Sequence, residues 1–321
     1  MGIRIWYQSS VAIGRNPVFK PYEDAIARNA REVVRSDTTV DIRGVERMTP
    51  HYERSRYARY LNGISIVRNA AQAEAEGYDA IAVGCYTDPC LEEVRDSVTI
   101  PALFMMQVSM HVACMLGGKF AFVSYSARNL EQMKRLAERY SLVDRLVGAG
   151  CFEAQLSRSN EWFADPGPVI EGFTREAAKC VAQGAEVLIP TCGVLNQVLR
   201  ENKVRDVGGC PILDGSSVLL KLTEAMVELR RTIGLGHVGA GVTRALYVLT
   251  ARDKRGDTLL FDIRIEADLD SLIAGARRAG ASADSQLMSL AFGHARRLLD
   301  ESAYQPPAHF HLRIGSQIKD T

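Results

Sequence analysis

The chain has 321 residues, enough for about two domains at ~150 residues each. Its 47% hydrophobic and 24% charged residues exclude a disordered or collagen-like protein. Thirty-nine Lys and Arg oppose 38 Asp and Glu, a net charge of +1, which removes the general electrostatic case for nucleic acid or an anionic membrane as partner. No apolar run reaches the ~18 residues of a membrane span, and the opening Met-Gly-Ile-Arg-Ile-Trp reads as a strand rather than a leader, so a cytoplasmic protein is expected.

In chain order, residues 3–7 form an apolar strand pattern and 21–35 carry helical period. Residues 39–43 read as a strand, 58–76 as a long Ala-rich helix, 80–84 as a buried strand and 102–106, after Pro101, as another short strand. Strand–helix alternation of this kind predicts a parallel sheet with helices on both faces and a site at the carboxyl ends of the strands. The same order then recurs. Lys119-Phe-Ala-Phe-Val-Ser-Tyr-Ser126 echoes Arg4-Ile-Trp-Tyr-Gln-Ser-Ser10. Gly184-Ala-Glu-Val-Leu-Ile-Pro-Thr-Cys192 echoes Gly77-Tyr-Asp-Ala-Ile-Ala-Val-Gly-Cys85 at an offset of 107 positions, and Cys210-Pro211 echoes Ile100-Pro101. The expected architecture is therefore α/β: two pseudo-symmetric parallel-sheet lobes, about 1–113 with 212–236, and 114–211. Residues 237–321 are expected to add a small α+β extension.

Seven cysteines, at 85, 90, 114, 151, 180, 192 and 210, are odd in number and widely spaced, which fits neither a disulfide framework nor a zinc site. His309 and His311 read as one face of a strand rather than as metal ligands, and no metal is expected. Cys114 and Cys180 fall within helical patterns and read as core; Cys90, Cys151 and Cys210 have no equivalent in the other half. Cys85 and Cys192 differ from these, because both follow buried strands at matching points of the repeat. Each is expected at a helix N-terminus, with a helix near Pro89 in the first case, where free N–H groups and the dipole favour thiolate. Two thiols facing across a cleft suit removal of a proton from a carbon beside a carbonyl and its return on the other face. A free thiol titrates at about 8.5 and can serve as base or acid. Hydroxyls and N–H groups nearby can hold the carbonyl oxygens as enolate charge develops.

These segments resemble the aspartate/glutamate/hydantoin racemase superfamily, and within it the hydantoin racemase branch. Gly84-Cys-Tyr-Thr-Asp-Pro-Cys-Leu91 is similar to that branch's first-cysteine motif, and residues 184–193 to its second. The stretch 101–117 and Pro211-Ile-Leu-Asp-Gly215 with 221–224 are similar to its later motifs, so the resemblance covers about residues 3–233. It implies two α/β lobes, no cofactor, a small-molecule substrate, Cys85 and Cys192 as the two-base pair, and assembly as a homo-oligomer. Three departures fall where a pocket would be lined or supported. Gln8-Ser9-Ser10 replaces the family's Asn-Pro-Asn-Ser/Thr ending of the first strand, Phe104 and Gln107 replace a Gly and a Glu, and Cys90 replaces a Gly.

The expected substrate-binding set is Gln8, Ser9, Ser10, Tyr86, Thr87, Phe104, Ser124, Ser126, Thr191 and Gly193. The four serines equally suit helix N-caps. Asp88-Pro89 reads as a cap of the next helix, His111 as a packing residue, and the Arg/Tyr-rich stretch 51–60 as a solvated helix face or subunit contact. In the tail, 244–250 and 258–265 read as a hairpin, 269–278 and 285–301 as helices, and 309–314 as a strand. Residues 285–320 resemble the first half of a Lon-type protease domain, stopping before its nucleophilic serine, so no protease activity is expected. The reading is a cofactor-independent racemase or epimerase, with a 5-substituted hydantoin or amino-acid-like substrate. A cysteine-dependent isomerase or decarboxylase of a small dicarboxylic acid and a catalytically idle assembly domain stay open beside it.

Overall fold

Short runs of β-branched and aromatic residues, buried on both faces, fit only the middle of a sheet covered on both sides. Ile-Arg-Ile-Trp-Tyr-Gln of β1 (Ile3–Gln8) and Phe-Ala-Phe-Val-Ser of β5 (Phe120–Ser124) are such runs. A computed structural model describes residues 2–49, 55–236, 245–252 and 258–265. The chain divides into one unit of Met1–Val238 and a second of Gly239–Thr321.

In the first unit β1 is followed by α1 (Lys20–Val33), β2 (Thr38–Arg43), α2 (Arg56–Ala75), β3 (Ala80–Val83), α3 (Leu91–Ser97), β4 (Ala102–Phe104) and α4 (Met105–Leu116). After β5 come α5 (Ala127–Arg139), β6 (Leu146–Cys151), α6 (Ser159–Ala164), α7 (Gly167–Ala182), β7 (Val187–Pro190) and α8 (Gly193–Glu201). A small antiparallel ladder of β8 (Asp206–Val207) and β9 (Cys210–Pro211) then leads to α9 (Gly215–Ile233). The first sheet has the order β2-β1-β3-β4, all parallel. The second has β6-β5-β7, also parallel, and a parallel bridge from Leu188 to Ile212 stands where β4 stands in the first. Both sheets thus present corresponding strand ends, and the loops after β3 and β7 carry Cys85 and Cys192.

The final helix of each half crosses over. Assigned to the first lobe from sequence, α4 packs on β5 and β7 of the second sheet, while α9 packs on β1, β3 and β4 of the first, and the two helices lie against each other. The composition of α4, Met-Met-Gln-Val-Ser-Met-His-Val-Ala-Cys-Met-Leu, permits this, because an apolar helix can be covered on more than one side. Met105, Met106 and Met110 are fully buried, each such side chain contributing about 1.5–3 kcal/mol. One continuous core consequently runs through both lobes.

The expected strand at 102–106 is shorter in the structure. It ends at Phe104 because the buried Asp88 carboxylate accepts the Met106 and Gln107 N–H groups at 2.8 and 2.7 Å, which starts α4 at Met105. Asp88 therefore caps α4 rather than α3, the next helix in sequence.

In the second unit β10 (Ala245–Arg252) and β11 (Thr258–Ile265) form an antiparallel pair with Ala245 opposite Ile265 and Arg252 opposite Thr258. The helices expected at 269–278 and 285–301, the strand at 309–314 and the Lon-like stretch lie outside the described residues. Among the described residues no helix is long and apolar enough to cross a membrane.

Candidate active site

Strand ends from both sheets converge on a cavity of about 560 Å³, whose lining includes Cys85 and Cys192. Cys85 is half-buried in the loop after β3. The Ser10 hydroxyl, from the loop after β1, donates to its Sγ at 3.1 Å, and the Thr87 hydroxyl lies 3.2 Å away. The helix expected near Pro89 begins at Leu91, and the two hydroxyls are what hold the sulfur. Cys192 does stand at a helix terminus. It is the N-cap residue of α8, in extended conformation, with no side-chain capping hydrogen bond, and it lines the cavity.

The floor between the two thiol loops is a pair of tyrosines. A Cβ on Gly84 would meet the Tyr7 ring, and one on Gly193 would meet the Tyr22 hydroxyl at 2.5 Å and the Gly84 carbonyl oxygen at 3.5 Å. The residue before Cys85 and the residue after Cys192 are thus glycines because the loops ride directly over these rings and nearly touch. Burial pushes the Tyr7, Tyr22 and Tyr86 hydroxyls far up, so all three stay neutral. One bridge ties the loops together. The Tyr86 hydroxyl donates to Asn196 Oδ1 at 3.0 Å, the Gly215 N–H reaches the same oxygen at 2.9 Å, and Asn196 Nδ2 donates to Asp214 at 2.8 Å.

Of the expected binding residues, Ser9, Ser10, Tyr86, Thr87, Ser126, Thr191 and Gly193 line this cavity. Three others do not, and the expectation is corrected for each. Gln8 is buried and spent, accepting from Trp6 Nε1 and Asn69 Nδ2, both at 2.9 Å, and donating to the Ser9 carbonyl at 2.8 Å. Phe104 is fully buried under the Arg95 guanidinium, 5.7 Å from its ring, so it fills core volume rather than forming a pocket wall. Ser124 lies beneath the site and donates to Asn129 Oδ1 at 2.9 Å. Ser126 caps α5 through the Asn129 N–H at 3.2 Å while also lining the cavity.

Sequence reasoning misses Tyr22, Tyr125, Asn129, Arg128, Gln132 and Glu153, all of which line the cavity. Asn129 is the best organised: its Oδ1 accepts from both Ser124 and Thr191, the latter at 2.8 Å, so the amide is held with its nitrogen turned away from those hydroxyls. The one signal for it is its place three residues after a capping serine. Arg59, read from sequence as part of a solvated face, also lines the cavity.

Four of the other thiols are held as weak acids. Burial pushes Cys90 and Cys180 up to about 11, burial and the Glu153 carboxylate push Cys151 up to about 12, and Cys210 is raised as well. These four are kept as poor nucleophiles. Cys90, where the resembling motif has glycine, adopts φ +53°, the left-handed region that favours glycine, and its Sγ packs into the space Gly63 leaves on α2.

Asp88, beside Thr87, offers a pH test of this loop. Burial outweighs three hydrogen bonds, including one from the Tyr140 hydroxyl at 2.7 Å, and raises its carboxyl to about 7. The folded chain therefore holds a proton that the unfolded chain, with an ordinary Asp at about 3.9, releases first. This group's contribution to stability should fall as pH rises from about 4 to about 7 and then level. Denaturant midpoints measured across that range should show the slope in the native chain and its loss in Asp88→Asn. An unchanged slope in the variant would place the titrating group elsewhere.

Comparison with known proteins is consistent with this geometry. The family described as Asp/Glu/Hydantoin racemase matches residues 21–223. A hydantoin racemase from Pseudomonas sp. (strain NS671) is 24% identical over 205 residues, 64% of this chain and 80% of that protein. Among solved structures, the allantoin racemase from Klebsiella pneumoniae superposes with a TM-score of 0.62 at 17% identity, over 75% of this chain and 92% of that one. The allantoin racemase from Pseudomonas fluorescens gives 0.59 at 19% identity, over 73% and 93%.

Proposed function

The chain belongs to the Asp/Glu/hydantoin racemase family, and from that premise we propose that it is a cofactor-independent racemase of a small 5-substituted hydantoin. The observation that carries the reading is that Cys85 and Cys192 line one cavity, delivered by equivalent strand ends of two matching lobes.

In this reading one sulfur, as thiolate, takes the proton from the carbon between the ring carbonyl and the substituent. The carbon's electron pair moves onto the carbonyl as enolate, and the other thiol returns a proton to the opposite face. Each turnover exchanges the roles of the two sulfurs and consumes nothing, so both acid and base come from the chain itself. Developing negative charge on the substrate oxygen needs donors already in place. The Thr87 hydroxyl beside Cys85, and the Asn129 amide whose oxygen is held by Ser124 and Thr191, can supply them. The neutral tyrosine floor adds no competing charge.

Proton NMR in deuterium oxide tests the proposal. Single enantiomers of 5-substituted hydantoins, amino acids and small dicarboxylates are offered to the full chain. The expected result is loss of the hydantoin C5 proton signal together with loss of optical rotation. Loss of carbon dioxide or double-bond isomerisation from a dicarboxylate, with no hydantoin exchange, would replace this reaction with the decarboxylase or isomerase chemistry.

A further inference from the structure

The cavity lining carries two arginines. Arg59 from α2 and Arg128 from α5 line it from opposite lobes. Both also line an adjoining groove of about 810 Å³, together with Thr87 and Gln132, so the two arginines stand where the inner cavity opens outward. Arg128 is exposed, lies in the first turn of α5, and forms no hydrogen bond or ion pair among the described residues. That turn carries no acidic residue, and neither does the first turn of α2, which opens on Arg56. A cation near a helix N-terminus works against the helix dipole, so Arg128 does not stabilise its own helix. Among the described residues, three nearby acids have other partners. Glu153 accepts the Ala127 N–H at 3.1 Å and the Cys151 thiol at 3.3 Å; in the groove, Glu92 pairs with Arg139 at 2.7 Å and Glu131 with Lys134 at 2.8 Å.

We infer that Arg59 and Arg128 form an anion-recognising mouth, and that the preferred substrate is a hydantoin whose 5-side chain ends in a carboxylate. The reactive carbon then lies between the sulfurs while the acidic arm reaches outward to two guanidinium groups, which suit carboxylate geometry. This substrate class rests on the racemase reading; recognition of an anion at the mouth does not.

The experiment compares 5-(carboxymethyl)hydantoin with its near-isosteric amide, using the full chain. The acid is expected to exceed the amide in kcat/KM by about 10- to 100-fold, the range of a charged hydrogen-bonded pair. In Arg59→Gln and Arg128→Gln the acid-to-amide ratio should fall toward 1, chiefly through KM for the acid. Arg128→Lys should keep part of the preference. Arg128→Gln should not lower the melting temperature, which a merely structural arginine would. A second readout is free of turnover: the acid, more than the amide, should shield Cys85 from iodoacetamide, and the two Gln variants should lose that difference. Equal handling of acid and amide in both readouts would overturn the inference, as would equal loss of both probes in the variants. If neither hydantoin is turned over while the acid alone shields Cys85, the mouth stands and the racemase reading falls.

Discussion

Replacement of either Cys85 or Cys192 by serine is expected to lower racemisation by about 10²- to 10⁴-fold, the contribution of a positioned acid or base, while leaving the fold intact. Serine retains size and hydrogen bonding, but its hydroxyl is far too weak an acid to work as a base near neutral pH. The surviving thiol still faces one side of the substrate. Each variant should therefore exchange the C5 proton of one enantiomer with solvent deuterium without inverting it, and the two variants should choose opposite enantiomers. NMR of each pure enantiomer in deuterium oxide reads this directly. Exchange of both enantiomers by a single variant would mean that one thiol serves both faces, and the two-base mechanism would be lost. Retention of full racemisation would remove the cysteines from the chemistry altogether.

The second large effect is steric and separates two glycines that look alike in sequence. A Cβ at Gly84 would fall 2.0 Å from the Tyr7 hydroxyl oxygen, 2.1 Å from Cζ and 2.5 Å from Cε1. Tyr7 is fully buried in β1 and has nowhere to move, so Gly84→Ala should cost at least the ~1–3 kcal/mol typical of overpacking. Removing only the hydroxyl, with Tyr7→Phe, should not restore it, because ring carbons clash too. At Gly193 the close contact is the Tyr22 hydroxyl alone, at 2.5 Å, with Cζ already at 3.4 Å. Gly193→Ala should be damaging in stability and turnover, and Tyr22→Phe in the same chain should recover most of the stability. Denaturation midpoints of the four single and two double variants decide this. Rescue of Gly84→Ala by Tyr7→Phe as complete as the rescue at Gly193 would show that the first loop is not seated on the ring.

Much of the site's framework was legible in the sequence because duplication makes it redundant. The Gly…Cys segments ending at Cys85 and Cys192 are similar enough to align, and equivalent strands in a two-lobed parallel architecture must end on the same side. Cys90 was visible as a departure from a glycine-bearing motif, and its left-handed φ gives the reason glycine suits that place. The assignments that failed share one cause. Gln8, Phe104 and Ser124 end or follow strands as their neighbours do, yet alternate side chains of a strand point to opposite faces, and these three turn into the core. Arg59 departs in the reverse direction: its stretch reads as a solvated face or subunit contact, yet it lines the same cavity as Arg128, which no local pattern singles out.

The strand–helix alternation, the internal repeat and the two cysteine-bearing loops are readable from residues alone, since each is written in the periodicity or chemistry of a short segment. Long-range packing is what sends α4 to the second sheet, sets Tyr7 and Tyr22 as the floor beneath the thiols, and makes Asp88 cap α4 rather than α3. A segment's pattern specifies which of its faces avoids water. What meets that face depends on elements up to two hundred residues away, and the wall of a cavity is made of such meetings.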